Sequence, residues 1–100
     1  MIEQVCQVSP QLLEQFCRRN RIRKLAIFGS ALRADFRPGS DLDLLVEFQP
    51  GAVPGLSFFG LQHELSEMFG RPVDLNTPNG LPAEFRDKVA AEAEVLYAAP

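Results

Sequence analysis

Histidine, cysteine and tryptophan are nearly missing from this chain, which has one His, two Cys and no Trp in 100 residues. Cys6 and Cys17 have no further Cys or His at zinc-ligand spacing, so a structural zinc site is not expected. Both read as reduced thiols, with Cys17 packed under a helix. The single His63 falls about 200° round a helix from Leu61 and reads as a solvated surface residue rather than a catalytic base. No apolar run approaches the roughly 18 residues that span a bilayer, and the opening Met-Ile-Glu-Gln-Val-Cys lacks the basic-then-apolar pattern of a signal peptide. A cytoplasmic protein with no membrane partner is expected. Positive charge is also scarce: 10 basic residues stand against 13 acidic ones, for a net charge of -3 and a pI of about 5.0. A domain that grips nucleic acid through phosphates would carry a basic face, whereas this chain offers only the local cluster Arg18, Arg19, Arg21, Arg23 and Lys24. Direct nucleic-acid binding is therefore not expected. Walker-type Gly-Lys-Ser, kinase-loop and dinucleotide glycine fingerprints are missing as well.

What remains is an ordinary globular composition, 46% hydrophobic and 23% charged with 8 Phe, sufficient for one core and too short for two. Residues 1–100 are expected to form one small domain around a single sheet. Ser9-Pro10 offers an N-cap and a first helical residue, followed by Leu12, Leu13, Phe16 and Cys17 at helical spacing up to Asn20. Residues 23–28 read as a strand that stops at Gly29. A short helix over 30–35 and a turn over 36–40, with Pro38-Gly39, lead to a strand over 42–48. After the loop over 49–55, Phe58, Leu61, Leu65 and Met68 mark a helix from Ser57 to Phe69 that Gly70 ends. A short strand over 73–76 follows, then a helix opened by Pro82 with Phe85, Val89 and Ala93 as core candidates. A last strand over 95–97 is expected at the sheet edge. The alternation predicts an α/β fold, a mixed sheet with helices packed on one face and the other face open.

Three aspartates give that open face its chemistry. Side chains alternate along a strand, so Asp41 and Asp43 point one way while Leu42, Leu44, Val46 and Phe48 point into the core. The same parity turns Asp74 opposite to Val73 and Leu75, onto the side of the other two acids if the strands are neighbours. Neighbouring carboxylates repel one another, and a divalent cation such as Mg²⁺ both relieves the repulsion and prefers hard oxygen ligands. One or two ions held there could assist an in-line displacement at phosphorus. Glu47 shares the parity but lies too far along the strand to join them. Gly29 and Ser30, at a strand-to-helix turn, complete the site: a glycine lets backbone approach a phosphate, and amides at a helix start with the Ser30 hydroxyl donate to it. Asp-x-Asp and Gly-Ser are each common in loops. Their combination at this spacing is much more specific.

Taken together, Gly29-Ser30-Ala31-Leu32-Arg33, Ser40-Asp41-Leu42-Asp43-Leu44-Leu45-Val46 and Arg71-Pro72-Val73-Asp74-Leu75 closely resemble the minimal nucleotidyltransferase (MNT) family of the DNA polymerase β superfamily, from about Leu12 to Tyr97. The resemblance implies a polymerase-β-like palm and transfer of a nucleoside monophosphate from ATP with Mg²⁺. It implies that Asp41 and Asp43 bind two ions, that Gly29, Ser30 and Arg33 belong to the nucleotide-binding motif, and that Asp74 holds a metal while helping to deprotonate the acceptor. The glycine usual beside that arginine is replaced by Ala34. Many similar proteins are antitoxins of HEPN/MNT modules, which implies AMP transfer to a tyrosine of a HEPN toxin partner in a hetero-oligomer. Two other readings stay open: a catalytically silent antitoxin that neutralises by contact, and transfer to a small molecule or an RNA end.

Overall fold

The computed structural model describes residues 8–32, 41–52 and 54–100, with Ser30 and Ala31 described in backbone only. The order is α1 (Pro10–Arg19), β1 (Ile22–Phe28), a 3₁₀ turn (Gly29–Leu32), β2 (Leu42–Phe48), α2 (Ser57–Phe69), β3 (Val73–Asn76), a second 3₁₀ turn (Pro78–Gly80), α3 (Ala83–Glu92) and β4 (Glu94–Ala98). The four strands form one mixed sheet in the order β3-β2-β1-β4. Strand β1 runs antiparallel to β2 and β4, while β2 and β3 are parallel. A parallel pair needs a crossover, and α2 supplies it. Gly70 closes α2 in the left-handed region at φ 70°, where a residue without a Cβ is unstrained.

Alternation builds the core. Leu25 and Ile27 of β1, Leu42, Leu44 and Val46 of β2, and Val73 and Leu75 of β3 meet Leu13, Phe16 and Cys17 of α1 and Leu61 and Leu65 of α2. Pro10 opens α1 behind Ser9, as expected, but the Ser9 hydroxyl donates to Gln11 Oε1 rather than capping a helix amide.

The mixed α/β architecture is the expected one, but α3 is placed differently. Arg86, Ala90 and Ala93 face Lys24, Ala26, Leu45 and Glu47 across a cavity of about 210 Å³, so α3 lies over the sheet face that was expected to be open. None of its residues is buried, and Phe85, expected in the core, is 53% exposed. With alanine and charge at most other positions, α3 has too little apolar surface to compete with α1 and α2 for the core face. The small side chains of Ala26, Ala90 and Ala93 instead permit a loose approach on the opposite side. Among the described residues no helix is long and apolar enough to cross a membrane.

Candidate active site

Sheet register assembles the site. The end of β1 and the start of β2 are paired so that Phe28 stands opposite Asp43, and across the parallel pair Asp43 stands opposite Asp74. The two acids are therefore direct neighbours on one face of adjacent strands. The Leu42 amide, between Asp41 and Asp43, donates to the Pro72 carbonyl at 2.8 Å and locks the strand starts together. Asp43 is half-buried, while Asp41, just before β2, and Asp74 are exposed. Among the described residues no three His, Cys, Asp or Glu side chains converge tightly enough to form a metal-ligand group. Asp43 and Asp74 share a register row, and Asp41 shares their parity from the strand's threshold.

Gly29 lies against this pair. Its φ is 76°, and a Cβ built on it would overlap Asp43 Oδ2 and lie 3.1 Å from Asp43 Cγ. The chain turns out of β1 directly against the central carboxylate, a closeness that only a residue without a side chain allows. Ser30 continues the 3₁₀ turn. Arg33 and Ala34, with the turn expected over 36–40, lie outside the described residues, as does Cys6. The donor chemistry suits a hard divalent cation: the three candidate ligands offer only carboxylate oxygen, and the bare backbone at Gly29 lets the turn lie against the Asp43 carboxylate. Glu47, at the far end of β2, forms an ion pair with Arg23 instead.

Residues 9–96 match the nucleotidyltransferase domain family. This chain is a nucleotidyltransferase. It is 35% identical over 75 residues to a Methanocaldococcus jannaschii protein provisionally named a protein adenylyltransferase, covering 75% of this chain and 80% of that one. A solved structure described provisionally as a minimal nucleotidyltransferase superposes with a TM-score of 0.70 at 33% identity, covering 85% of this chain and 86% of the other. The same fold recurs at 16% identity and a TM-score of 0.64 in the structure of a tri-AMPylated Shewanella oneidensis HEPN toxin in complex with an MNT antitoxin, over 90% of this chain and 70% of that one.

The third aspartate of this nucleotidyltransferase is steadied by contacts that only the tertiary fold creates. Strand β3 is a four-residue edge strand, so alternate backbone amides lack a strand partner on its outer side. Helix α2 provides one: the Val73 amide donates to Ser66 Oγ and the Leu75 amide to Gln62 Oε1, each at 2.9 Å. These two bonds bracket Asp74. Ser66 in turn donates to the Gln62 carbonyl. A polar pair four residues apart beside the apolar stripe of α2 was the available signal, but it reads equally as a solvated helix face.

Other residues take the structural roles expected of them. Cys17 is fully buried, and the cost of desolvating a thiolate pushes its pKa from 9.0 up to about 12. His63 is exposed and pairs with Glu67 one turn on. Within the basic cluster Arg18 pairs with Glu14, Arg19 with Glu64 and Arg23 with Glu47, so much of its charge is already answered inside the chain.

Proposed function

We propose that this nucleotidyltransferase transfers AMP from ATP to a hydroxyl of a protein partner, a tyrosine of a HEPN toxin, and so acts as the antitoxin of a pair within one hetero-oligomer. The observation that carries the reading is the register pair of Asp43 and Asp74 with the Gly29 turn lying against Asp43 and Asp41 at the edge: bare backbone beside paired carboxylates is what a polyphosphate with its cations requires. Support for a protein acceptor comes from the curated relative's name, and support for the partner from the fold shared with the MNT antitoxin. Residues 1–100 then work as one catalytic domain to which the partner brings the acceptor.

In this reading Asp41, Asp43 and Asp74 would hold Mg²⁺, whose charge would offset that of the polyphosphate and of the departing oxygen. Gly29 and Ser30 present backbone amides to the phosphates. Asp74, at the outer strand and exposed, accepts the proton of the incoming hydroxyl. The acceptor oxygen bonds to the α-phosphorus as the bond from that phosphorus to the bridging oxygen breaks, and pyrophosphate leaves with the electron pair. Aligning the two oxygens is worth far more than any single contact.

Mixing the purified chain with its HEPN partner, ATP and Mg²⁺ is expected to raise the partner's mass by multiples of an AMP residue, on tyrosine. Neutralisation of the toxin by an Asp41, Asp43 and Asp74 triple variant, with no mass change from wild type, would overturn transfer in favour of inhibition by contact.

A further inference from the structure

Helix α3 raises a question that the core does not answer: why it carries Phe85 and Val89 without burying either. Phe85, Lys88, Val89 and Glu92 recur at spacings of three and four, which is one face of a helix. That face is turned toward the Gly29 turn. Phe28 and Gly29 form one side of a cleft of about 330 Å³, and Leu81, Pro82, Phe85 and Val89 form the other. Lys88 and Glu92 stand on its lining and also on that of a second, more polar cavity that again includes Gly29. The apolar cleft therefore opens onto the backbone turn beside Asp43, with a cation and a carboxylate between it and the polar space.

The loop wall of the cleft is built as well. Arg86 donates through Nε to the Pro78 carbonyl at 2.7 Å and through an Nη to the Leu81 carbonyl at 3.2 Å. One side chain of α3 thus ties down the segment that carries Leu81 and Pro82. A small, mostly apolar and aromatic cleft with a few polar groups at its mouth is the usual form of a small-molecule site.

We infer that this cleft takes the nucleoside end of the nucleotide, with the base against Phe85 and Leu81 and the Lys88 ammonium facing the polyphosphate that leads to Gly29 and Asp43. The assignment rests on the proposed nucleotidyl transfer and extends it to residues outside the aspartate and glycine-serine motifs. An aromatic face stacks on any base, so Phe85 strengthens binding without choosing a nucleotide. Glu92, at the same mouth, can accept hydrogen bonds from ribose hydroxyls and would repel a phosphate, which directs the polyphosphate toward Lys88 and Gly29.

Titration calorimetry with Mg²⁺ and two probes, a non-hydrolysable ATP analogue and inorganic tripolyphosphate, tests the cleft. Phe85→Ala should weaken the ATP analogue about fivefold or more, the loss expected for one stacked base, and leave tripolyphosphate affinity unchanged. Phe85→Tyr, which keeps the ring face, should restore the affinity. Lys88→Ala should weaken both probes. Phe85 and Lys88 are exposed, so unchanged melting curves should accompany all three variants. Wild-type affinity of Phe85→Ala for the ATP analogue, or equal losses with both probes, would overturn the cleft and leave nucleotidyl transfer standing. Failure of the wild type to bind either probe would overturn both.

Discussion

Replacing Gly29 by alanine concentrates two distinct penalties at one atom. The first is backbone strain: at φ 76° a residue with a Cβ loses about 1 to 2 kcal/mol. The second is the collision with Asp43, whose Cγ and Cβ would lie 3.1 and 3.3 Å from the new methyl and whose Oδ2 would overlap it. Asp43 must turn away, at about 0.5 to 1.5 kcal/mol for a side chain forced off its rotamer. Two other glycines separate the terms. Gly51 and Gly70 also have positive φ, 83° and 70°, but a Cβ on either meets nothing within 4 Å. Gly70→Ala and Gly51→Ala should lose only the backbone term, a fall in Tm of roughly 5 to 10 °C for a chain of this size, whereas Gly29→Ala should lose roughly 7 to 17 °C. Activity should divide far more sharply. Moving a reacting group by an ångström costs on the order of a hundredfold in rate, so at a temperature where circular dichroism shows all three variants folded, Gly29→Ala should transfer AMP at about 1% of the wild-type rate or less and the other two near the wild-type rate. Equal transfer by Gly29→Ala and Gly70→Ala would refute the placing of Asp43 against that turn as a catalytic feature.

Three further outcomes follow from the same geometry. Asp74→Asn removes a like charge directly opposite Asp43, so in chelator it should melt at or slightly above wild type, by a few tenths to about 1 kcal/mol, while losing the rise in Tm that Mg²⁺ gives the wild type; a full Mg²⁺ response would free Asp74 from the metal site. Gln62→Ala and Ser66→Ala each strip an acceptor from β3, so each should cost about 1 to 3 kcal/mol in urea denaturation and lower transfer beyond what the stability loss explains; wild-type turnover in both would mean that the bracket does not position Asp74. In a Cys6→Ser background the Cys17 thiol should not react with an aromatic disulfide reagent at pH 8 until the protein is unfolded. Because its folded pKa of about 12 lies above the ordinary 9.0, the stability it contributes is complete below pH 9 and is lost as pH rises toward 12.

How much of this was legible in the sequence depends on how local each signal is. Strand β2 begins at Leu42 and ends at Phe48 as the alternation predicts, since Leu42, Leu44 and Val46 on one face are fully buried and Phe48 packs partly buried against the same core. Helix α2 ends at Gly70 because a left-handed cap is a local decision. The Asp43 and Asp74 pairing followed from parity once β2 and β3 were neighbours. Periodicity reveals a face but not what it faces: Phe85 and Val89 line a cleft rather than the core, and Ala93, just past the end of α3, faces the sheet across the smaller cavity. Gln62 and Ser66 were invisible for a similar reason: their partners are amides of a strand seven to thirteen residues away, and only the tertiary fold brings them together.

In the proposed reaction the aspartate row moves the α-phosphoryl group of ATP. ATP labelled at either the α- or the γ-phosphate, incubated with Mg²⁺, the HEPN partner, and wild type or Asp43→Asn, tests it most directly. Stable partner labelling is expected from the α-position only, with pyrophosphate released in equal amount and no labelling with Asp43→Asn. Label arriving from the γ-position, or equal α-labelling by wild type and Asp43→Asn, would contradict it.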